Sequence, residues 1–249
     1  MSVYESVHGR TLVVHMDRPA KRNAIDRQMA QGISAALDRL DDDDQLWVGV
    51  ITGTDTVFSA GTDLAAGRDA RTDRGGEYGL IRRRRTKPLI AAVEGPALGG
   101  GFEITLACDL IVASTSARFA LPETRRGVIA SSGALFRATR ALPPAIAKQL
   151  LITGAGLSAE RAHHFGVINT LAAPGKALTE ALALAEDICQ SSPIAVRQTL
   201  AAMAEQDEDA DKIGWAATGR AIDVVTASED MQEGVRAFFE RRAPEWTGK

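Results

Sequence analysis

The sequence predicts an α/β protein whose strands fall mostly in the first part of the chain and whose helices dominate the second. Three observations carry that expectation. Two short apolar runs rich in β-branched residues, at 47–52 (WVGVIT) and 89–93 (LIAAV), are bounded by turn residues, as strands buried on both faces of a sheet are. Each leads into a glycine-bearing loop, and after about Pro143 one helix-period segment follows another. Finally, 249 residues, 45% of them hydrophobic and 24% charged, suffice to bury a sizeable core. Such a chain makes either one large α/β unit or a domain of roughly 150 to 200 residues with an appendage, and length does not choose between them.

Taken in order, 4–7 and 11–16 are β-type runs around His8-Gly9 and read as a hairpin. Asp26 is placed to cap a helix whose apolar positions Met29, Ile33, Ala36, Leu37 and Leu40 recur at helical spacing. The helix should stop at the acidic run 41–44, read as a solvated turn. Further strands are expected at 110–113 and 168–171. Helices are expected at 145–153, 159–165, 176–189, 194–205, around 212–226 and at 229–241. That helical tail has little strand of its own to pack on, so it should cover the α/β core or a neighbouring subunit. No internal repeat and no long biased linker interrupts the chain.

Charge and cysteine usage exclude several classes. With 29 basic against 32 acidic residues the net charge is −3, which argues against a nucleic-acid coat or a polybasic membrane anchor. Cys108 and Cys189 are the only cysteines, with no CxxC spacing and no histidine cluster nearby, so neither a zinc site nor a disulfide framework is expected. A reduced, cytoplasmic protein fits best. The N-terminal segment has no basic stretch followed by an apolar one, and no run reaches the roughly 18 apolar residues of a membrane span.

The chemistry should lie in the segment 94–109, EGPALGGGFEITLACD. Gly99, Gly100 and Gly101 follow a strand and open a helix. Such a junction can leave backbone N–H groups free to hold an anion or a developing oxyanion, or the glycines can simply let helix and sheet approach closely. A second loop, Phe58-Ser59-Ala60-Gly61-Thr62-Asp63-Leu64, also follows a buried strand. Two loops beyond strand C-terminal ends are where open α/β sheets put ligands, and together they can supply two donors to one oxygen. Neither G-x-S-x-G nor GxxxxGK[ST] occurs, so serine-hydrolase and P-loop chemistries lack their central residues. Two carboxylates stand near these loops. Glu103 in the first turn of the glycine-opened helix and Glu123 in FALPETRRG each have an ordinary explanation, as a helix-start anion and an exposed turn residue. Facing one pocket, they can divide acid and base work.

Four segments in one order resemble the crotonase, or enoyl-CoA hydratase/isomerase, superfamily: R-P-A-K-R-N-A from Arg18, F-S-A-G-T-D-L, E-G-P-A-L-G-G-G-F-E-I with Cys108-Asp109 behind it, and F-A-L-P-E with Gly127 beyond. The C-terminal E-G-V-R-A-F-F-E-R-R-A-P-E-W is similar to that family's closing helix. The resemblance covers nearly the whole chain. It implies a ββα superhelix over residues 1–190, then a helical trimerisation segment over 191–249, and a homotrimer or a hexamer of paired trimers. It implies an acyl-CoA substrate, with CoA as part of the substrate and no separate cofactor or metal. By motif position, the Thr62 and Gly100 N–H groups would form an oxyanion hole. Arg22, Ala24, Ala60, Thr62, Asp63, Leu64, Ala65 and Gly100 would line the CoA site. Glu103 and Glu123 would be the two glutamates with which hydratases of β-oxidation type add water to a trans-2-enoyl thioester, whereas members with only the second tend towards isomerisation.

After Glu123 the chain departs from that pattern, reading Arg125-Arg126-Gly127-Val128-Ile129-Ala130-Ser131-Ser132-Gly133 where hydratases commonly have a proline and a glycine-rich turn. This bears on the shape of the acyl pocket. FALPE and Leu142-Pro143-Pro144-Ala145-Ile146 look like the carnitinyl-CoA dehydratase branch, which makes crotonobetainyl-CoA a second candidate substrate. Four arginines at 82–85 read as a solvated helix face, or as a contact for CoA phosphates or RNA. His163 and His164 at a helix end and Cys108 in an apolar helix read as structural. A catalytically silent acyl-CoA-binding homologue and an RNA-binding one are the readings of another class.

Overall fold

The computed structural model describes residues 2–67 and 70–249, so Met1 of the leading segment lies outside it. Strands β1 (Val3–His8) and β2 (Thr11–Met16) pair antiparallel, Val3 opposite Met16 and His8 opposite Thr11. Helix α1 (Arg27–Asp42) starts where expected, the Asp26 carboxylate accepting from the Met29 N–H at 2.8 Å. There follow β3 (Val48–Thr52), a small hairpin β4 (Arg71–Thr72) and β5 (Gly76–Glu77), β6 (Leu89–Val93), β7 (Pro96–Leu98), α2 (Gly100–Ala107), β8 (Leu110–Ser114) and β9 (Arg118–Ala120). The remainder is α3 (Ala134–Ala141), α4 (Pro144–Thr153), β10 (Gly156–Ser158), α5 (Ala159–His164), β11 (Thr170–Ala172), α6 (Ala177–Cys189), α7 (Pro193–Thr226) and α8 (Glu229–Glu240).

The main sheet has the order β1-β2-β3-β6-β8-β11, parallel from β2 onward, and a second sheet runs β10-β9-β7. The apolar runs of β3 and β6 are buried on both faces because each face has its own cover. Ile51, Leu89 and Ala91 belong to the same core as Met29, Ile33, Leu37 and Leu40 of α1. Val48, Val50, Ile90 and Ala92 point the other way, onto Ala177, Ala181 and Ala185 of α6. That i, i+4 row of alanines gives α6 a smooth ridge with which to lie close on the sheet. The first sheet ends and the glycine loops therefore emerge together on one side, which is what positions the site.

Three expectations change. The segments at 194–205 and 212–226 form one helix, α7, capped by Ser192. Its acidic middle stays helical because the charges are exposed and paired, Lys212 lying 3.3 Å from Glu208. The helical part begins before Pro143, with α3. The acidic run at 41–44 is not wholly solvated: the Asp41 side chain is buried against Arg83 at 2.8 Å, and its first two residues still belong to α1.

That pairing also revises the reading of 82–85 as a solvated helix face: Arg82 and Arg84 are exposed, but Arg83 and Arg85 are not, and the segment is not a helix. The run lies in an irregular segment between β5 and β6. Arg83 is fully buried on Asp38 and Asp41, and Arg85 pairs with Asp109, whose carboxylate also accepts from the Leu89 N–H at 2.7 Å. Arg82 pairs with Glu77 and lies over the Trp215 ring, and Arg84 pairs with Glu208. Among the described residues no helix is long and apolar enough to cross a membrane.

Candidate active site

The loop after β3 is held by a buried asparagine. Asn23 donates through its amide to the Val57 and Phe58 carbonyls at 3.2 and 3.1 Å, and the Ser59 hydroxyl donates to the Asn23 carbonyl at 2.8 Å. Beyond it the Gly61 N–H donates to the Ser59 hydroxyl at 3.1 Å, the Ile25 N–H to the Gly61 carbonyl at 2.7 Å, and the Asp63 N–H to the Ile25 carbonyl at 3.0 Å. The Thr62 N–H, between these engaged groups, has no acceptor among the described residues.

The three glycines that open α2 are each approached by another part of the chain. A Cβ on Gly99 would lie 3.0 Å from the Glu123 carboxylate, one on Gly100 would lie 2.4 Å from the Tyr78 hydroxyl, and one on Gly101 would lie 2.4 Å from the Ser59 carbonyl. The close-approach reading therefore holds, and it is compatible with the other. Gly100 is the first residue of α2, so its N–H is one of the donors a helix start leaves free. The two loops converge: Gly61 turns at φ +87°, and a Cβ there would lie 2.9 Å from the Gly100 nitrogen. Two unengaged amides, of Thr62 and Gly100, thus flank one junction.

Both candidate carboxyls lie beside this junction, Glu103 buried and Glu123 half-buried. Glu103, 2% exposed, accepts from the Ser132 and Ala134 N–H groups at 2.7 and 3.2 Å, so it caps the start of α3. Glu123 sits on a short 3₁₀ turn, Glu123–Arg126, behind β9, and its Oε2 is buried with no hydrogen-bond partner among the described residues. It is not the exposed turn residue of the ordinary reading. Burial and then the Glu123 charge push Glu103 up to about 8, against the pull of the two amides. Burial pushes Glu123 up to about 7. Two such neighbours titrate as a pair that keeps a proton at neutral pH.

A stability signature follows. From the ordinary value of 4.5 up to those raised values the folded chain binds more protons than the unfolded one, so these carboxyls stabilise the fold at low pH and lose that contribution as pH rises through the window. Melting temperatures recorded between about pH 5 and 8 should therefore fall less steeply for Glu103→Gln than for the parent protein. Equal slopes would mean that Glu103 is not protonated in the folded state.

The remaining candidates form a partly exposed rim. Arg22 and Ala65 are exposed, and Ala24, Ala60, Thr62 and Leu64 are half-buried. Asp63 differs: it is buried, pairs with Arg18 at 2.7 Å and accepts from the Ala65 and Ala66 N–H groups, so its carboxylate is engaged in holding this loop. Cys108 ends α2 with its thiol donating to the Ile104 carbonyl, and burial pushes it up to about 12. A cavity of about 400 Å³ between α1 and the β4–β5 hairpin contains none of the candidates and is edged by ion pairs such as Arg74 with Asp38.

Two residues of this site were not selected from sequence. Tyr78 is buried, its hydroxyl 2.8 Å from the Thr62 Oγ1, and Ser132 supplies Glu103 with an amide and a hydroxyl contact. The signal for Tyr78 was its place among glycines in GGEYG, and that for Ser132 was the start of the unanticipated α3.

A family model described as enoyl-CoA hydratase/isomerase matches residues 7–249. The chain belongs to that family. Within the enoyl-CoA hydratase/isomerase family it is 37% identical over 259 residues to a carnitinyl-CoA dehydratase of Proteus mirabilis, covering 100% of this chain and 99% of that one. It is 37% identical over 251 residues to enoyl-CoA hydratase EchA19 of Mycobacterium tuberculosis, covering 97% and 94%. Its fold is the crotonase fold of the family's hydratases. A crystal structure of carnitinyl-CoA hydratase from Mycobacterium avium superposes with a TM-score of 0.95 at 36% identity, over 100% of this chain and 99% of that one.

Proposed function

We propose that this family member is a hydro-lyase that adds water across the 2,3-double bond of a trans-2-enoyl-CoA thioester. The observation that carries this reading is a buried Glu103 and the buried Oε2 of Glu123 beside the junction flanked by two unengaged amides. The thioester oxygen accepts from the Thr62 and Gly100 N–H groups, which stabilise the negative charge that builds there as water attacks the β-carbon. Glu103 and Glu123 hold the water, and their hydrogen bonds divide the work. The Ser132 and Ala134 amides hold the Glu103 carboxyl in place, and it takes the proton from water in the form of the pair whose proton lies on Glu123. The unpartnered Glu123 Oε2 suits a protonated acid, which delivers its proton to the α-carbon. The reaction is redox-neutral and needs no cofactor beyond the CoA of the substrate. The rim of Arg22, Ala24, Ala60 and Thr62 with Leu64 and Ala65 receives the CoA.

The second reading is the reverse direction on a polar acyl group, as in the carnitinyl-CoA dehydratases this chain is similar to; the same two carboxyls serve it. Isomerisation needs only one of them. The RNA reading is weakened, since Arg83 and Arg85 are held within the chain and only Arg82 and Arg84 stay exposed. The helix α7 buries only Thr218 and exposes Ile194, Met203, Ile213 and Val224, which supports assembly as a homotrimer or hexamer.

A panel of crotonyl-CoA, crotonobetainyl-CoA and their 3-hydroxy counterparts tests this, with thioester absorbance and product mass as readouts. The expected result is loss of the conjugated band with gain of one water, by a protein sedimenting at three or six chain masses. Conversion without mass change would replace hydratase by isomerase, and release of CoA by hydrolase.

A further inference from the structure

Tyr78 reaches both halves of the site. On one side its hydroxyl lies 2.8 Å from the Thr62 Oγ1, and its ring end packs so closely on Gly100 that a Cβ there would lie 2.4 Å from the oxygen and 2.6 Å from the ring carbon bearing it. On the other side it bonds to Ser132 and feels the charges of Glu103 and Glu123. Burial and those charges hold the phenol well above its ordinary value, so it is a neutral hydroxyl throughout the working range. The side chain is held from behind: Tyr78 is itself in the left-handed region at φ +56°, and its N–H donates to the Ala70 carbonyl at 2.7 Å. The following Gly79 is pressed against α1, where a Cβ would lie 2.2 Å from the Ala30 carbonyl. A bulky residue in that backbone region is uncommon and persists where the surroundings impose it.

With the thioester oxygen on the Thr62 and Gly100 amides and the β-carbon at the two carboxyls, the acyl group lies among residues that Tyr78 adjoins on both sides. We propose that Tyr78 sets the acyl length the site accepts: its ring end occupies the room beside Gly100 that a longer chain would thread, so the protein favours short enoyl thioesters. This rests on the acyl-CoA reading above. Thr62 and Ser132 keep the ring in place through its hydroxyl, but the bulk of the ring makes the selection.

Calorimetric titration with the unreactive butyryl-CoA and decanoyl-CoA tests the inference apart from turnover. In Tyr78→Ala the ratio of the two Kd values should shift towards decanoyl-CoA by about tenfold or more, the scale on which a pocket resolves methylenes. In Tyr78→Phe, which keeps the ring, the ratio should stay where it was. An unchanged ratio in a folded Tyr78→Ala protein overturns the proposal, as does a shift in Tyr78→Phe equal to that in Tyr78→Ala. Should the alanine variant not fold, Tyr78→Leu is read in the same way. Absence of water addition to any enoyl thioester, with the Kd ratio still shifted, would defeat the hydratase reading and leave the length selection standing.

Discussion

Glu123→Gln is expected to lower kcat for crotonyl-CoA hydration by about 10²–10⁴-fold, the range that positioned proton transfer contributes. The substitution is nearly isosteric, so it opens no cavity and the native melting transition should remain. What it removes is the exchangeable acidic proton at an oxygen that no other group among the described residues engages. Glu103→Gln should lose a similar factor for a different reason. Its amide oxygen can still accept from Ser132 and Ala134, keeping the start of α3 in place, but an amide is far too weak a base to take a proton from water. On the proposed mechanism the two groups act on one water, so the double variant should fall little below the lower of the singles. Stopped-flow absorbance on the three proteins measures this, and a single variant that keeps near-parental kcat would remove that residue from the mechanism.

Gly61→Ala should cost about 10²–10³-fold in kcat, the usual effect of losing one donor to a developing oxyanion. No group that touches substrate chemically is altered. The new methyl would lie 2.8 Å from the Leu98 carbonyl and 2.9 Å from the Gly100 nitrogen, so the loops carrying the Thr62 and Gly100 amides must separate. The left-handed φ of +87° adds strain of about 1–2 kcal/mol for any residue with a Cβ. Circular dichroism and the melting transition report whether the fold survives, and kcat reports the amides. A folded variant with undiminished kcat would show that the two donors do not act on one oxygen.

Much of this was legible in the sequence. The hairpin, the capped α1 and the doubly buried β3 and β6 follow from patterns that are local, so a short window holds the whole signal. The glycine loops and both glutamates were also readable, since backbone donors and carboxyls advertise themselves by residue type. What sequence could not supply was the tertiary partner. Asp63 looks like a loop residue open to a ligand until Arg18, 45 positions earlier, is found on its carboxylate. Arg83 and Arg85 look solvated until Asp38, Asp41 and Asp109 meet them. Tyr78 carries no periodic signal at all, and its importance comes from where the β4–β5 hairpin aims it. The two segments expected at 194–205 and around 212–226 are joined because the acidic stretch between them stays helical on an exposed face.

The 3₁₀ turn bearing Glu123 is braced from behind by α8. A Cβ on Gly234 would lie 2.3 Å from the Arg126 carbonyl, one on Gly127 would lie 2.4 Å from the Asp230 carbonyl, and the Arg126 guanidinium lies over the Phe238 ring. The other groups named around the junction lie between Arg18 and Ala134 and have left the ribosome long before that helix is made. The chain therefore carries its reactive groups early and their backing last, so a nascent or prematurely terminated polypeptide presents both carboxyls without the support that aims one of them.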